Sequence, residues 1–129
     1  MKDIIKMSGP LLIFDKVNAN GQLFPKDCEI VIPKTVPVLQ NFECNSLDAV
    51  IGSANIIKDK KGLVCNAKLS NGFIKDHLYI GGLYNQVKYH KEKDITVIDS
   101  AILKAVGTTL YPADDECKMV IKEKENNND

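Results

Sequence analysis

The chain has 129 residues, 44% of them hydrophobic, with seventeen basic and seventeen acidic side chains. This length suits one domain with a sizeable core, and zero net charge gives no field that would draw the chain to nucleic acid or an acidic membrane. Every basic residue is Lys, so Arg, the usual bidentate reader of phosphate and guanine, is missing from the toolkit.

No run of about 18 apolar residues suggests a membrane span. The charged opening Met1 to Met7 has no signal core, so the protein is expected in the cytoplasm when made. Leu11-Leu12-Ile13-Phe14 is a short apolar run ahead of a turn at Asn18-Ala19-Asn20-Gly21. Glu29 to Ile32 reads as a β-branched strand bounded by Pro33, and Pro37 to Phe42 as an extended piece. Ala49 to Ile57 and Leu63 to Leu69 flank the turn Lys58 to Gly62, with Leu63, Cys65, Ala67 and Leu69 alternating onto one face. That is the pattern of a half-buried hairpin.

Ser70 to Lys75, with its Asn-Gly, reads as a loop or the lead into a short helix. Leu78 to Tyr89 is apolar and Gly-rich, His90 to Asp94 is a charged turn, and Ile95 to Ile98 and Ala101 to Leu110 follow as strands stopped by Pro112. Met119 to Ile121 adds a last short strand, and Lys122 to Asp129 is expected to be a disordered charged tail. The pattern therefore predicts one domain over residues 1–121, mainly β with one or two short helices (α+β), as a small barrel or sandwich.

Cys28, Cys44, Cys65 and Cys117 contain no CxxC pair and read as buried free thiols. His77 and His90 stand 13 residues apart with no ligand-spaced partner, so no metal is expected. Gly81-Gly82 is followed by no Lys-Ser/Thr, so it is no phosphate loop; it reads as a bulge or a close backbone approach, and no cofactor is expected. Tyr79, Tyr84 and Tyr89 suit either a partner-contact face or core packing.

The order of several short segments resembles the prohead maturation proteases of tailed phages, which share a fold with herpesvirus assemblin. Pro37-Val38-Leu39-Gln40-Asn41-Phe42 is similar to the family's piece ending in His. Ile51-Gly52 and Asp59-Lys60-Lys61-Gly62-Leu63 follow in family order. Leu78-Tyr79-Ile80-Gly81-Gly82-Leu83 stands at the nucleophile stretch, and Leu103-Lys104-Ala105-Val106-Gly107 with Pro112-Ala113-Asp114 at the closing element. The resemblance covers about residues 10 to 118 and implies an assemblin-type barrel.

It also implies a retired site. Where the family has its His the chain has Phe42 (Asn41 in a register one residue shorter), for its Ser it has Tyr79, and for its acid, Ala105. None can play the part that a serine-type mechanism requires there. Ser70, His77 and His90 with Asp76, Asp94 or Asp99 supply the right chemical types for a rebuilt triad. Each has an ordinary reading, however: a turn serine, a surface pair and a solvated His. The resemblance thus implies a non-enzymatic auxiliary or decoration protein of the virion, bound to the major capsid protein and assembled in the host cytoplasm. Self-association is also compatible with that role. The competing readings are an active prohead protease with an atypical triad and a transient head-assembly factor.

Overall fold

The computed structural model describes residues 4–43, 47–70 and 77–125. Among the described residues nine strands form one sheet: β1 (Ile4–Ile13), β2 (Gln22–Leu23), β3 (Glu29–Val31), β4 (Val36–Leu39), β5 (Val50–Lys58), β6 (Gly62–Ser70), β7 (His77–Glu92), β8 (Ile95–Thr108) and β9 (Lys118–Glu125). Seven of them close a barrel in the order β8-β4-β5-β6-β1-β9-β7 and back to β8. The short strands β2 and β3 add to β8 in parallel.

Alternation along the strands fills the barrel. On β6, Leu63, Cys65, Ala67 and Leu69 are all buried, while Asn66 and Lys68 between them are exposed. Ile5 and Met7 on β1, Val36 and Val38 on β4, and Ile80, Leu103, Val106 and Met119 join them in one cluster. Burial of this kind contributes about 25 cal/mol per Å² of apolar surface, the main term holding such a barrel together. Closure also removes the free strand edges that an open sheet would present.

The β5–β6 hairpin forms where the alternation predicts it. In its turn Asp59 Oδ1 accepts hydrogen bonds from the backbone of Lys61 at 2.8 Å and of Gly62 at 3.0 Å. The side chain thus satisfies amides that the ladder leaves open.

Three expectations change. Among the described residues strands take 66%, and the helical content is two three-residue 3-10 turns, Gln40–Phe42 and Leu47–Ala49. A lead into a helix over 70–75 falls almost wholly outside the described residues. Lys122 to Glu125, expected as part of a tail, belong to β9, which pairs Glu125 with Ile4 and Lys124 with Ile5; residues 126–129 lie outside the described residues. Backbone pairing to β1 holds that charged segment without needing apolar side chains. Finally, His90 lies inside β7 and the turn is at Lys93-Asp94. The charges that suggested a turn are the solvent-facing residues of a long hairpin.

Candidate functional site

Strand β4 ends with Val38 and Leu39 paired to Val106 and Gly107 of β8. The chain then turns through Gln40–Phe42, tied by the Glu43 amide to the Gln40 carbonyl at 3.0 Å and by the Asn41 amide to the Thr108 hydroxyl at 3.1 Å. Asn41 (φ 54°) and Phe42 (φ 58°) both take the left-handed conformation. Asn tolerates it, but for Phe it is an outlier that costs on the order of 1–3 kcal/mol and needs compensation from its surroundings.

The compensation is a seat for the ring. Gly81 of β7 and Gly107 of β8 are direct partners across the sheet. A side chain at Gly107 would overlap the Phe42 ring carbons, and one at Gly81 would come within 3.0 Å of Phe42 Cζ. Two bare backbones side by side make a flat shelf, and the aromatic ring covers it. The close approach expected for the Gly81-Gly82 pair is therefore that of aromatic rings: Phe42 over Gly81, and Tyr84 over Gly82.

The antiparallel register sorts the neighbours by face. Ile80, Gly82, Val106 and Thr108 share one face, with Ile80 and Val106 in the core. Tyr79, Gly81, Leu83, Ala105 and Gly107 lie on the other face, where Phe42 sits. Tyr79 and Ala105 flank the glycine pair from opposite directions, each two residues away, or about 7 Å along its strand. Tyr79 is half-buried and its carbonyl accepts the Thr109 amide at 3.0 Å; Ala105 is buried. The three positions singled out from the sequence are thus gathered on one surface, with Phe42 in the middle. Their side chains, two hydrocarbons and a phenol, supply no proton acceptor suited to activating a nucleophile.

The other candidate residues are dispersed. Ser70 ends β6 opposite Ile4, and His77 opens β7 opposite Val120. His90 is thirteen residues further along the same strand, a contour of roughly 40 Å. There its Nδ1 meets the Asp99 carboxylate at 2.9 Å, with both groups half-exposed. That hydrogen bond, more than the nearby charges of Asp99 and Glu92, holds the imidazole pKa above its ordinary value. Asp94 lies in the β7–β8 turn; Asp76 and Cys44 lie outside the described residues. The pair His90–Asp99 is therefore real, while Ser70 belongs to another part of the barrel.

The three tyrosines do not share a face. Tyr89 is 59% exposed, whereas Tyr84 packs against the core and its ring lies 5.3 Å from that of Phe24. The Tyr84 hydroxyl is shut off from water and has no hydrogen-bond partner. Burial pushes its pKa well up, so it stays a neutral phenol. Cys28, Cys65 and Cys117 are buried thiols. Burial raises Cys65 and Cys117 to about 12 and raises Cys28 as well, which leaves them protonated and inert as nucleophiles.

Phe42 and Tyr84 both line a cavity of about 370 Å³ that reaches the surface by Lys16, Asn18 and Tyr111. The sequence reading missed Gly107 and Thr108 as parts of this site. A glycine inside the strand Ala101 to Leu110 was the available signal, since strand glycines mark close approaches. Among the described residues no group of three or more His, Cys, Asp or Glu is placed to hold a metal ion. Compared with protein-family models, with curated proteins and with solved structures, the chain has no match.

Proposed function

We propose that this protein is a non-catalytic structural component of a tailed-phage head, an auxiliary or decoration protein that binds the major capsid protein through an assemblin-like barrel. The observation that carries the reading is the placement of Phe42. In the resemblance this position belongs to the catalytic base, and Tyr79 and Ala105 to its nucleophile and orienting partner. The ring stands on the Gly81–Gly107 shelf between those two positions. A base between nucleophile and orienting group is the spatial order of a serine-type triad. Here a hydrocarbon fills the central place, and the chain bears a left-handed Phe to keep it there. Keeping the frame while losing the chemistry favours stoichiometric binding over turnover.

Quantitative mass spectrometry of purified virions tests this. Many full-length copies per shell, counted against the major capsid protein, are expected. Their absence from virions, together with no affinity of the purified chain for proheads or mature capsids, would overturn the proposal. Scaffold peptides disappearing on incubation with the chain would restore an enzymatic reading.

A further inference from the structure

The barrel-end cavity has walls built from core residues, among them Leu11, Phe24, Ile80, Ile98 and Cys117. Its volume of about 370 Å³ lies at the lower end of the usual range for small-molecule pockets and equals roughly a dozen water molecules. Protein interiors close on themselves at crystal-like density, so a space this large beside a core, with Asn18, Asn20, Gln22 and Thr109 completing its wall on the polar side, is a feature to explain. The second observation is independent of volume. The Tyr84 hydroxyl is buried without a partner, a state that native interiors rarely tolerate. It folds in over Gly82, also on the cavity wall, where a Cβ would come within 2.6 Å of the hydroxyl oxygen.

Charge narrows the ligand. Among the described residues Lys16 and Asp114 are the charged ones on the cavity lining, and they neutralise each other at 3.0 Å. Neither an anion nor a cation finds an unmatched partner there. The phenol remains protonated because burial raises its pKa, so it can donate once the ring turns its hydroxyl, closed to water in this conformation, into the cavity. We infer that this cavity is a binding site for a small, neutral, mainly apolar molecule bearing a hydrogen-bond acceptor such as a carbonyl, which takes the proton of the Tyr84 hydroxyl. The phenol ring adjusts about its side-chain torsions to meet that acceptor. This site does not depend on the capsid role proposed above.

The test compares two probes of similar shape, acetophenone with its carbonyl and cumene without one, titrated into the full chain. Methyl NMR follows Leu11, Ile80 and Ile98. Both probes should shift these methyls saturably, with acetophenone preferred over cumene once their hydrophobicity difference is removed. Tyr84→Phe keeps the ring and the fold; it should lower acetophenone affinity about threefold to tenfold and leave cumene unchanged. Three results would each overturn the inference: no saturable shift with either probe, shifts confined to methyls away from the cavity, or equal changes for both probes in Tyr84→Phe.

Discussion

Gly107→Ala probes the seat of Phe42 directly. The three nearest atoms to a Cβ at this position are all in the Phe42 ring, and Gly107 has an ordinary strand conformation, so the ring is the obstacle. Overpacking of this sort costs about 1–3 kcal/mol. For a domain of this size that corresponds to a loss of roughly 4–12 °C in melting temperature, at about 4 °C per kcal/mol. In a Phe42→Ala background the obstacle is gone. Alanine should then stabilise by about 0.5–1 kcal/mol, because it replaces glycine inside a strand. The sign of the substitution reverses between the two backgrounds, with a coupling energy near 2 kcal/mol. Urea unfolding of the four proteins in this cycle measures it. A coupling below about 0.5 kcal/mol would mean that the two sites act independently and that Phe42 does not rest on the glycine pair.

Tyr84→Phe should raise stability by about 1–3 kcal/mol in the absence of ligand, since it deletes a buried hydroxyl with no partner; an unchanged or lower melting temperature would show that the hydroxyl is satisfied in solution. His90 gains its raised pKa chiefly from the hydrogen bond to Asp99. The stabilisation is therefore fully present below the ordinary value of 6.5 and fades as pH rises through the higher folded-state value. Asp99→Asn should lower the NMR pKa of His90 and shrink the stability gap from wild type above that window. At the β5–β6 turn, Asp59→Ala leaves two amides without their acceptor and should cost about 1 kcal/mol. Gly62→Ala should cost more, about 2–3 kcal/mol, since its Cβ meets the Leu12 carbonyl, which is backbone and cannot swing aside; the reverse order in chemical denaturation would refute the turn geometry. Leu110 and Tyr111 are 74% and 89% exposed, and Tyr111 lines the cavity mouth. Under the capsid role proposed above, Tyr111→Asp should reduce capsid occupancy severalfold without a fall in melting temperature, which co-sedimentation and thermal unfolding together would check.

The parts legible in the sequence are those set by local pattern. Leu63, Cys65, Ala67 and Leu69 announce their strand by alternation alone, and Asp59 with Gly62 announces its turn. The long β7–β8 hairpin was legible only in part. Its distal half carries exposed Val87, Lys88, Tyr89, His90, Lys91 and Glu92. That half of β7 pairs with β8 but has little of its own to bury, so it loses the apolar alternation that marks a strand. The extension of β9 through Lys122 to Glu125 was hidden for a similar reason, because pairing with Ile4 to Lys6 depends on backbone groups. The site was least legible of all. Gly81 and Gly107 are 26 positions apart, and only the register of β7 on β8 makes them one shelf. The left-handed Phe42 contradicts its own propensity, and no single-sequence rule would place it there.

Such contradictions are informative because a chain selected for stability alone would remove them. A left-handed Phe and an orphaned tyrosine hydroxyl each cost on the order of 1–3 kcal/mol, against a total stability of roughly 5–15 kcal/mol for a domain. Replacing Tyr84 by Phe is a single, sterically neutral step that would recover part of that cost. The strands otherwise follow the rules, with alternating faces, a core of aliphatic side chains and buried thiols kept neutral; Asn41 apart, the other left-handed non-glycine residues, Asp15 and Lys93, sit in turns. The two costly residues are far apart in sequence, yet both line the same cavity at one end of the barrel. Local violations that converge on one surface, in a fold that is otherwise consistent, mark the place where binding has been favoured over stability. That convergence is the structural ground for the ligand site inferred above, where Phe42, Tyr84 and Tyr111 line one cavity.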